Sequence, residues 1–333
     1  MASAPRIFHS PEEALGRFGP CALTAGNFDG VHCGHQRLFR EVTQIAAANG
    51  WAPSVLTFDP HPAKVVAPSR APKLLTTIAE RCRYMGECGI TQVLVLPFDL
   101  QLASLEAEDF TRRILVDALR AKAVVVGENF RFGRGQSGDV HTLARLGVEH
   151  HFELRALPAV TMRGVVVSSS EIRRRIQAGD VGGAAHLLGR FASIEGEVVK
   201  GHGVGSRQTV PTLNIEAAAE VMPAVGVYVT RTTDVETGRI WPSVTNVGFR
   251  PTFGGTRLAV ETYILERLEE RPSRIRVELA HRLRDERKFE SPSALKTQIL
   301  SDVERAGKWH RRWSNDRLLG RAAPEAPYTE KIG

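Results

Sequence analysis

The sequence predicts a two-domain α/β protein, with a parallel sheet flanked by helices in the first half and an antiparallel sheet or small barrel in the second. The length of 333 residues suits two domains at about 100–200 residues each. Strand and helix patterns alternate in the first half, whereas short alternating apolar runs separated by Gly, Pro and Asn fill the second. We expect domains at 1–185 and 186–313, with a loose tail at 314–333.

The elements of the first half follow in a regular order. The predicted strands are 21–26, 54–58, 91–97 and 122–127, and the predicted helices are 36–49, 77–88 and 107–119. The strands are short continuous apolar runs, which favours a buried parallel sheet with helices on both faces. Ligands of such sheets bind at the carboxyl ends of the strands. In the second half the alternating runs begin near 192, and a helix is expected over 292–306.

Composition and charge narrow the classes of protein. Apolar residues make up 42% and charged residues 24%, so a disordered or fibrous protein is excluded. The net charge of +7 suits an anionic partner such as a nucleotide, a nucleic acid or an anionic membrane. Aromatic residues, at 7%, are few for a protein that stacks many bases. The four cysteines form no CxxC pair and no apolar stretch is long enough to span a membrane, which predicts a cytoplasmic protein with reduced thiols.

The richest segment is GNFDGVHCGHQRLF, residues 26–39, between a predicted strand and a predicted helix. Gly26, Gly30 and Gly34 let the backbone approach a phosphate closely, and the helix N-terminus favours negative charge. The spacing of His32 and His35 can place both imidazoles on one side of a turn, where both can donate to phosphoryl oxygens. A strand–turn–helix junction with chance histidines is the alternative, and a metal site is a second one, which HxxH alone supports weakly.

Three further segments of the first half stand out beside this motif: TFDPHP at 57–62, VGENFRFGRGQSGD at 126–139 and VSSSEIRRRIQAGDV at 167–181. Together with HxGH they resemble the N-terminal half of the bacterial bifunctional riboflavin kinase/FAD synthetase family, within the nucleotidyltransferase superfamily. The resemblance covers nearly the whole first domain. It implies a Rossmann-like nucleotidyltransferase domain that adenylylates FMN.

The resemblance also implies residue roles. His32 and His35 would be catalytic and stabilise the charge that develops on ATP. Nucleotide and phosphate contacts would come from Gly26, Phe28, Asp29, Gly30, Gly34, Asn129, Ser169, Ser170 and Arg173, and flavin contacts from Asp59, His61, Phe130 and Arg131. Arginine suits bidentate phosphate binding. Taken alone, SSSEIRRR is also compatible with an N-capped helix that has a solvated basic face.

The second domain contains a glycine-spaced loop, GHGVGSRQTVPTLNI, at 201–215. It resembles the phosphate loop and PTAN motif of riboflavin kinases, which implies an antiparallel β-barrel with a C-terminal helix. By the resemblance, Gly201 and Gly205 contact phosphate, and Thr212 and Asn214 bind Mg²⁺, for which their oxygen atoms are suitable ligands. Glu261 aligns with the family's catalytic base, which would accept the proton of the ribityl 5′-hydroxyl.

The second domain departs from the family pattern at several positions. Where the family has Arg, Leu, Gly and Ala, this chain has Ser206, Gln208, Thr209 and Leu213. The usual LYG turn after the catalytic strand is replaced by ERLEERPS at 266–273. Thr212, Asn214 and Glu261 are retained, so the kinase chemistry is still expected.

The functional expectation is therefore a bifunctional enzyme of FAD biosynthesis. The C-terminal domain would phosphorylate riboflavin with Mg²⁺-ATP to FMN, and the N-terminal domain would adenylylate FMN with ATP to FAD and pyrophosphate. No nucleic-acid or membrane partner is expected.

One alternative function keeps FAD synthesis and has a degraded kinase domain. Another is a different adenylyl- or cytidylyltransferase with an unrelated β-domain. A basic nucleic-acid-binding module is disfavoured because no RRM, KH or helix-turn-helix signature occurs. The sequence indicates no oligomeric state.

Overall fold

The computed structural model describes residues 4–199, 212–217, 219–252, 255–287 and 289–318. By its internal contacts the chain packs as two compact units, an N-terminal unit (Met1–Ser169) and a C-terminal unit (Ser170–Gly333). The domain boundary expected after residue 185 stays a prediction.

A six-stranded parallel sheet forms the centre of the N-terminal unit. Its strands are β1 (Arg6–Phe8), β2 (Cys21–Ala25), β3 (Ala52–Asp59), β4 (Gln92–Pro97), β5 (Ala121–Gly127) and β6 (Glu153–Leu157). They lie in the order β1-β4-β3-β2-β5-β6, with every neighbouring pair parallel. From β2 the chain adds β3 and then β4 on one side of the sheet, and afterwards adds β5 and β6 on the other side. The crevice at the carboxyl ends of β2 and β5 is therefore the switch point where ligands of such sheets bind.

Helices cover the sheet of the N-terminal unit. They are α1 (Pro11–Ala14), α2 (Cys33–Asn49), α3 (Pro62–Val66), α4 (Ile78–Glu87), α5 (Leu100–Ala103), α6 (Ala107–Phe110) with a π-helical continuation (Thr111–Ala118), and α7 (Val140–His150). Successive strand residues enter two different cores: Leu56 packs in one and Val55 in the other. The strands are thus buried on both faces, as their continuous apolar runs predict. A short hairpin, β7 (Thr161–Met162) with β8 (Val165–Val166), follows β6.

The C-terminal unit is a closed antiparallel barrel. Helix α8 (Ser169–Gln177) begins at the last residue of the N-terminal unit, and α9 (Val181–Leu188) follows. The barrel strands are β9 (Ala192–Val199), β10 (Leu213–Ala217), β11 (Gly226–Asp234), β12 (Ile240–Thr252), β13 (Gly255–Ile264) and β14 (Arg274–Arg284), in the order β10-β13-β12-β11-β14-β9. The long helix α10 (Pro292–Leu318) ends the described chain. The predicted fold class is confirmed in both halves, and α10 extends beyond the predicted end at 306.

Strand alternation sorts the barrel residues into an inner and an outer set. Leu213, Tyr228 and Val260 pack in the inner core. Beside them lies a row of fully buried hydroxyls joined by contacts of 2.7–2.8 Å, from Thr230, Thr232, Ser243, Thr245 and Thr262. The residues between these inner positions face outward, where Val227 and Val244 pack with Ala306 of α10. Glu261 lies between the inner residues Val260 and Thr262, and Asn246 lies between the inner residues Thr245 and Val247. Both therefore belong to the outer set.

Two further findings bear on the expected class of protein. Over the described ranges, no helix is both long and apolar enough to cross a membrane. All four cysteines are free thiols, two of them buried and two partly exposed.

Candidate active sites

The loop after β2 turns sharply before α2 begins. Phe28, Gly30 and Val31 have φ values of 48°, 82° and 41°, in the left-handed region that residues with side chains rarely adopt. The turn also fits tightly around its glycines. A Cβ on Gly26 would lie 3.1 Å from the Phe28 ring, and one on Gly34 would lie 3.1 Å from the His32 ring. The glycine spacing of the motif thus reflects close packing within the loop itself.

His32 and His35 are brought together at the N-terminus of α2. His32 is the N-cap, and its Nδ1 accepts a hydrogen bond from the backbone N–H of His35 at 3.3 Å. The two rings stack with centroids 3.5 Å apart. Because Nδ1 is the acceptor, the neutral His32 ring carries its proton on Nε2, which is then a donor. The paired imidazoles and the helix N-terminus provide donors and positive potential for an anionic group.

Asp29 is buried and its carboxylate is bound by the protein. It accepts hydrogen bonds from the backbone N–H groups of Leu75 and Thr76 and from the Thr76 hydroxyl. The Asp29 carbonyl accepts a hydrogen bond from the Ser169 hydroxyl at 2.8 Å. This contact ties the first residue of α8 to the turn after β2. Ser170 and Arg173 follow along the same helix.

The flavin candidates follow the two strands that flank β2. Asp59 ends β3, and the Nδ1 of His61 caps α3 by accepting a hydrogen bond from the Ala63 backbone at 3.1 Å. Asn129 comes directly after β5, where Phe130 closes a turn by donating its backbone N–H to Gly127.

In the loop after β5, the side chains of Phe130 and Arg131 contact neighbouring residues. The Phe130 ring stacks with Phe132 at 5.5 Å between centroids, and Arg131 donates to the Phe130 carbonyl at 3.0 Å. Since carboxyl ends of adjacent parallel strands share one edge, the loops after β2, β3 and β5 meet at that edge.

In the barrel, antiparallel pairing places Asn214, Glu261 and Asn246 in one row across β10, β13 and β12. Directly opposed residues point to the same face, so these three side chains share the outer face. The Oδ1 atom of Asn214 is buried and has no hydrogen-bond partner within the described residues. Asn246 was not singled out from the sequence. A Cβ on Gly248 would overlap the Glu286 carboxylate and approach Asn246 Nδ2, so Glu286 lies on this face as well.

The remaining residues expected to serve the kinase reaction lie before β10, in β10 and between β13 and β14, or outside the described residues. Thr212 immediately precedes β10, and Leu213 faces the barrel interior. Gly201 and Gly205, together with the departures Ser206, Gln208 and Thr209, lie outside the described residues. The segment 266–273 connects β13 to β14.

The row across β10, β13 and β12 offers oxygen donors of the kind that bind Mg²⁺. Within the described part of the chain, no group of three or more His, Cys, Asp or Glu side chains is arranged to hold a metal. The buried, unpartnered amide oxygen of Asn214 and the Glu261 carboxylate beside it are hard oxygen donors. Mg²⁺ is commonly held by one or two protein oxygens together with substrate phosphates. The residues present therefore fit the ion as a partner of a bound nucleotide.

Comparisons with known proteins agree with this division into two sites. Residues 17–171 match the FAD synthetase family model, and residues 188–310 match the riboflavin kinase model. Bifunctional riboflavin kinase/FMN adenylyltransferases are among the relatives. The protein from Escherichia coli K12 is 36% identical over 85% of this chain and 90% of its own length. The one from Pseudomonas fluorescens is 37% identical over 86% and 92%.

A solved structure supports the fold. A Streptococcus pneumoniae protein described as a macrolide-efflux protein is similar with a TM-score of 0.80 and 28% identity, covering 92% of this chain and 100% of that one. The likeness extends over both the parallel sheet and the barrel.

Proposed function

The chain belongs to the bifunctional riboflavin kinase/FMN adenylyltransferase family, and on that premise we propose how its residues divide the two reactions. One reaction phosphorylates riboflavin with ATP and gives FMN and ADP. The other adenylylates FMN with a second ATP and gives FAD and pyrophosphate. Both are transferase reactions. The observation that supports the division most strongly is that each unit has its own family match and its own row of polar side chains.

In adenylyl transfer, an oxygen of the FMN phosphate attacks the α-phosphorus of ATP. The bond from that phosphorus to the bridging oxygen breaks, and pyrophosphate leaves with the electron pair. Such an in-line displacement needs positioning and charge stabilisation and can proceed without a protein nucleophile. We propose that His32 and His35 donate to the phosphoryl oxygens as charge develops there. The Nδ1 contact of His32 supports this, since an Nδ1 acceptor puts the proton of the neutral ring on Nε2.

The leaving pyrophosphate requires donors of its own. We propose that Ser169, Ser170 and Arg173, in the first turns of α8, bind the β- and γ-phosphates. The Ser169 hydroxyl bonded to Asp29 supports a fixed start for this helix. A guanidinium can donate to two phosphate oxygens at once.

The flavin and the remaining nucleotide contacts are assigned to the loops after β3 and β5. Asp59 and His61 lie in the first loop, and Asn129, Phe130 and Arg131 in the second. The partly exposed Phe130 ring, stacked on the buried Phe132, offers an aromatic surface for a planar ring system. The glycines and Phe28 of the first turn are assigned to the phosphate contacts of the backbone.

In the kinase reaction, Glu261 is proposed to accept the proton of the riboflavin 5′-hydroxyl as that oxygen attacks the γ-phosphorus of ATP. Asn214 and Thr212 would hold Mg²⁺, which supplies positive charge to the nucleotide phosphates when bound. Asn246 is placed beside Glu261 and can donate a hydrogen bond to its carboxylate from the adjacent strand. Gly201 and Gly205 are proposed for the phosphate loop on the resemblance alone.

The domain boundaries and the cellular location are proposals as well. The adenylyltransferase domain is assigned to 1–185, the riboflavin kinase domain to 186–313 and a tail to 314–333. A cytoplasmic location is proposed on the four free thiols, since structural disulfides mark oxidising compartments.

A product assay tests the proposed function. The full chain is incubated with Mg²⁺-ATP and either riboflavin or FMN, and the flavins are separated by chromatography. Riboflavin should give FMN and then FAD, and FMN should give FAD. If FMN is converted but riboflavin is not, the alternative with a degraded kinase domain is correct. If neither flavin reacts, both assignments fail.

A further inference from the structure

A buried ion pair beneath the first turn has no part in the chemistry proposed so far. Arg81 on α4 and Asp29 are each 2% exposed, and Arg81 Nη2 lies 3.8 Å from Asp29 Oδ1. The same Nη2 donates to the Thr76 carbonyl at 3.4 Å. Arg81 Nε is buried and makes no hydrogen bond within the described chain. The guanidinium is thus incompletely satisfied in a site closed to water.

Stability alone does not account for a cation at this position. Burying an ion pair costs solvation of both charges, and apolar residues of similar volume serve stability as well or better. Burial lowers the pKa of the Arg81 guanidinium, and the nearby Asp29 carboxylate acts in the opposite direction. The pair is therefore expected to serve the geometry of the groups bound to it.

Asp29 is the point where three chain segments are joined. Its carboxylate accepts from the Leu75 N–H at 3.0 Å and from the Thr76 N–H and hydroxyl at 3.1 Å each. The Thr76 hydroxyl in turn accepts from the Gly30 N–H at 3.0 Å. The Asp29 carbonyl receives the Ser169 hydroxyl. The turn after β2, the segment entering α4 and the start of α8 are therefore held through one residue.

The turn held in this way is conformationally unfavourable on its own. Phe28 and Val31 both carry side chains at positive φ, on either side of Asp29 and Gly30. Such conformations persist where surrounding contacts impose them. The residue after Val31 is His32, whose ring caps α2 and stacks on His35. Any relaxation of the turn would move the two imidazoles.

We propose that Arg81 is a positioning residue for adenylyl transfer: its cation holds the Asp29 carboxylate and Thr76 in place, and these fix the turn that presents His32 and His35 to the ATP phosphates. The inference rests on the function proposed for the two histidines. In it, Asp29 acts from the protein interior and not by contact with the nucleotide.

The test uses the full chain, which carries a second activity as an internal control. Arg81→Met, Arg81→Lys and the control Arg112→Met are compared, because Arg112 is an exposed arginine of the same unit, paired with Asp109. We expect Arg81→Met to lower kcat for FAD formation by about 10–100-fold, with the KM for FMN within about twofold of wild type. Riboflavin phosphorylation by the same preparation and both activities of Arg112→Met should be unchanged. Arg81→Lys should recover part of kcat, because an ammonium keeps the charge and loses the planar donor geometry.

A second variant keeps the test decisive if Arg81→Met does not fold. Thr76→Val removes the hydroxyl between Gly30 and Asp29 and leaves the ion pair in place, so it should also lower kcat with little change in KM.

A merely structural role would lower the thermal midpoint of the variants and leave kcat per folded molecule unchanged, which would overturn the inference. Wild-type enzyme that makes no FAD would overturn the proposed function and the inference with it. An active wild type with unaffected Arg81→Met, Arg81→Lys and Thr76→Val variants would overturn the inference alone.

Discussion

The imidazole of His32 caps the helix that carries His35, and the two rings stack with centroids 3.5 Å apart. One side chain therefore has two separable tasks. As the N-cap it accepts the His35 backbone N–H, which stabilises α2. Its proposed second task is to donate from Nε2–H to a phosphoryl oxygen. A substitution that keeps the first task and removes the second isolates the chemistry.

His32→Asn is that substitution, since asparagine is a favoured N-cap and has no imidazole. We expect its thermal midpoint to stay near the wild-type value, while FAD formation from FMN falls about 10²–10³-fold, as for loss of a preorganised donor. His32→Ala should lose both the cap and the activity. FMN formation from riboflavin should continue in both variants. The measurement is the initial rate of each product by chromatography, and a His32→Asn variant with normal FAD formation would contradict the role of the ring.

Glu261→Gln should produce the opposite pattern of products. The amide cannot accept the 5′-hydroxyl proton, and loss of a general base typically costs about 10²–10⁴ in rate. Formation of FMN from riboflavin should fall by this order, while added FMN is still converted to FAD. Glu197→Gln is the matched control, because Glu197 is an exposed carboxylate on β9 of the same barrel. Equal losses in Glu197→Gln and Glu261→Gln would show that the effect is not specific to the row across β10, β13 and β12.

Asn214→Ala should change the metal requirement of the kinase reaction. Its buried amide oxygen has no hydrogen-bond partner in the described chain, so it is available to a cation. We expect the Mg²⁺ concentration for half-maximal riboflavin phosphorylation to rise about tenfold, in the range typical when support for a metal site is lost. The Mg²⁺ dependence of FAD formation should stay unchanged. A lower maximal rate with an unaltered Mg²⁺ midpoint would assign Asn214 to the substrate and not to the metal.

Much of the fold could be predicted from the sequence because the central strands are continuous apolar runs with glycine or polar turns between them. The outer strands of the sheet were missed. β6 is partly exposed and mixed in composition, and it is held in place by pairing with β5. Helix α10 extends past the predicted end because Trp309 and Trp313 stack on each other and pack near Phe191, a tertiary contact that local pattern does not show.

The candidate sites show the same limit. His32 and His35 were found because they belong to one short motif. The partners of Asp29 were not, because Leu75 and Thr76 lie 46 and 47 residues further along the chain. The position of Asn246 beside Glu261 depends on the register of β12 against β13. Such pairings are properties of the folded topology and are absent from any local pattern.

The four thiols provide a final prediction that needs no mutation. Burial raises the pKa of Cys21 to about 12 and that of Cys82 to about 11. Because a raised pKa favours the neutral thiol and the thiolate is the reactive form, the folded protein should not be alkylated at these two positions at pH 8. Cys33 and Cys88 are partly exposed and should react.

Cys33 is the first residue of α2, between His32 and Gly34, so nucleotide phosphates bound at this helix N-terminus would cover it. We expect Mg²⁺-ATP to slow iodoacetamide labelling of Cys33 in proportion to occupancy of the site, while Cys88, at the end of α4, keeps its rate and serves as the control. Peptide mass spectrometry over a time course at pH 8 measures both rates in one sample. If ATP protects neither thiol at concentrations that saturate FAD formation, the phosphates are not bound at the start of α2. Equal protection of Cys33 and Cys88 would indicate a general tightening of the fold, and protection of Cys33 alone places the nucleotide beside the two histidines.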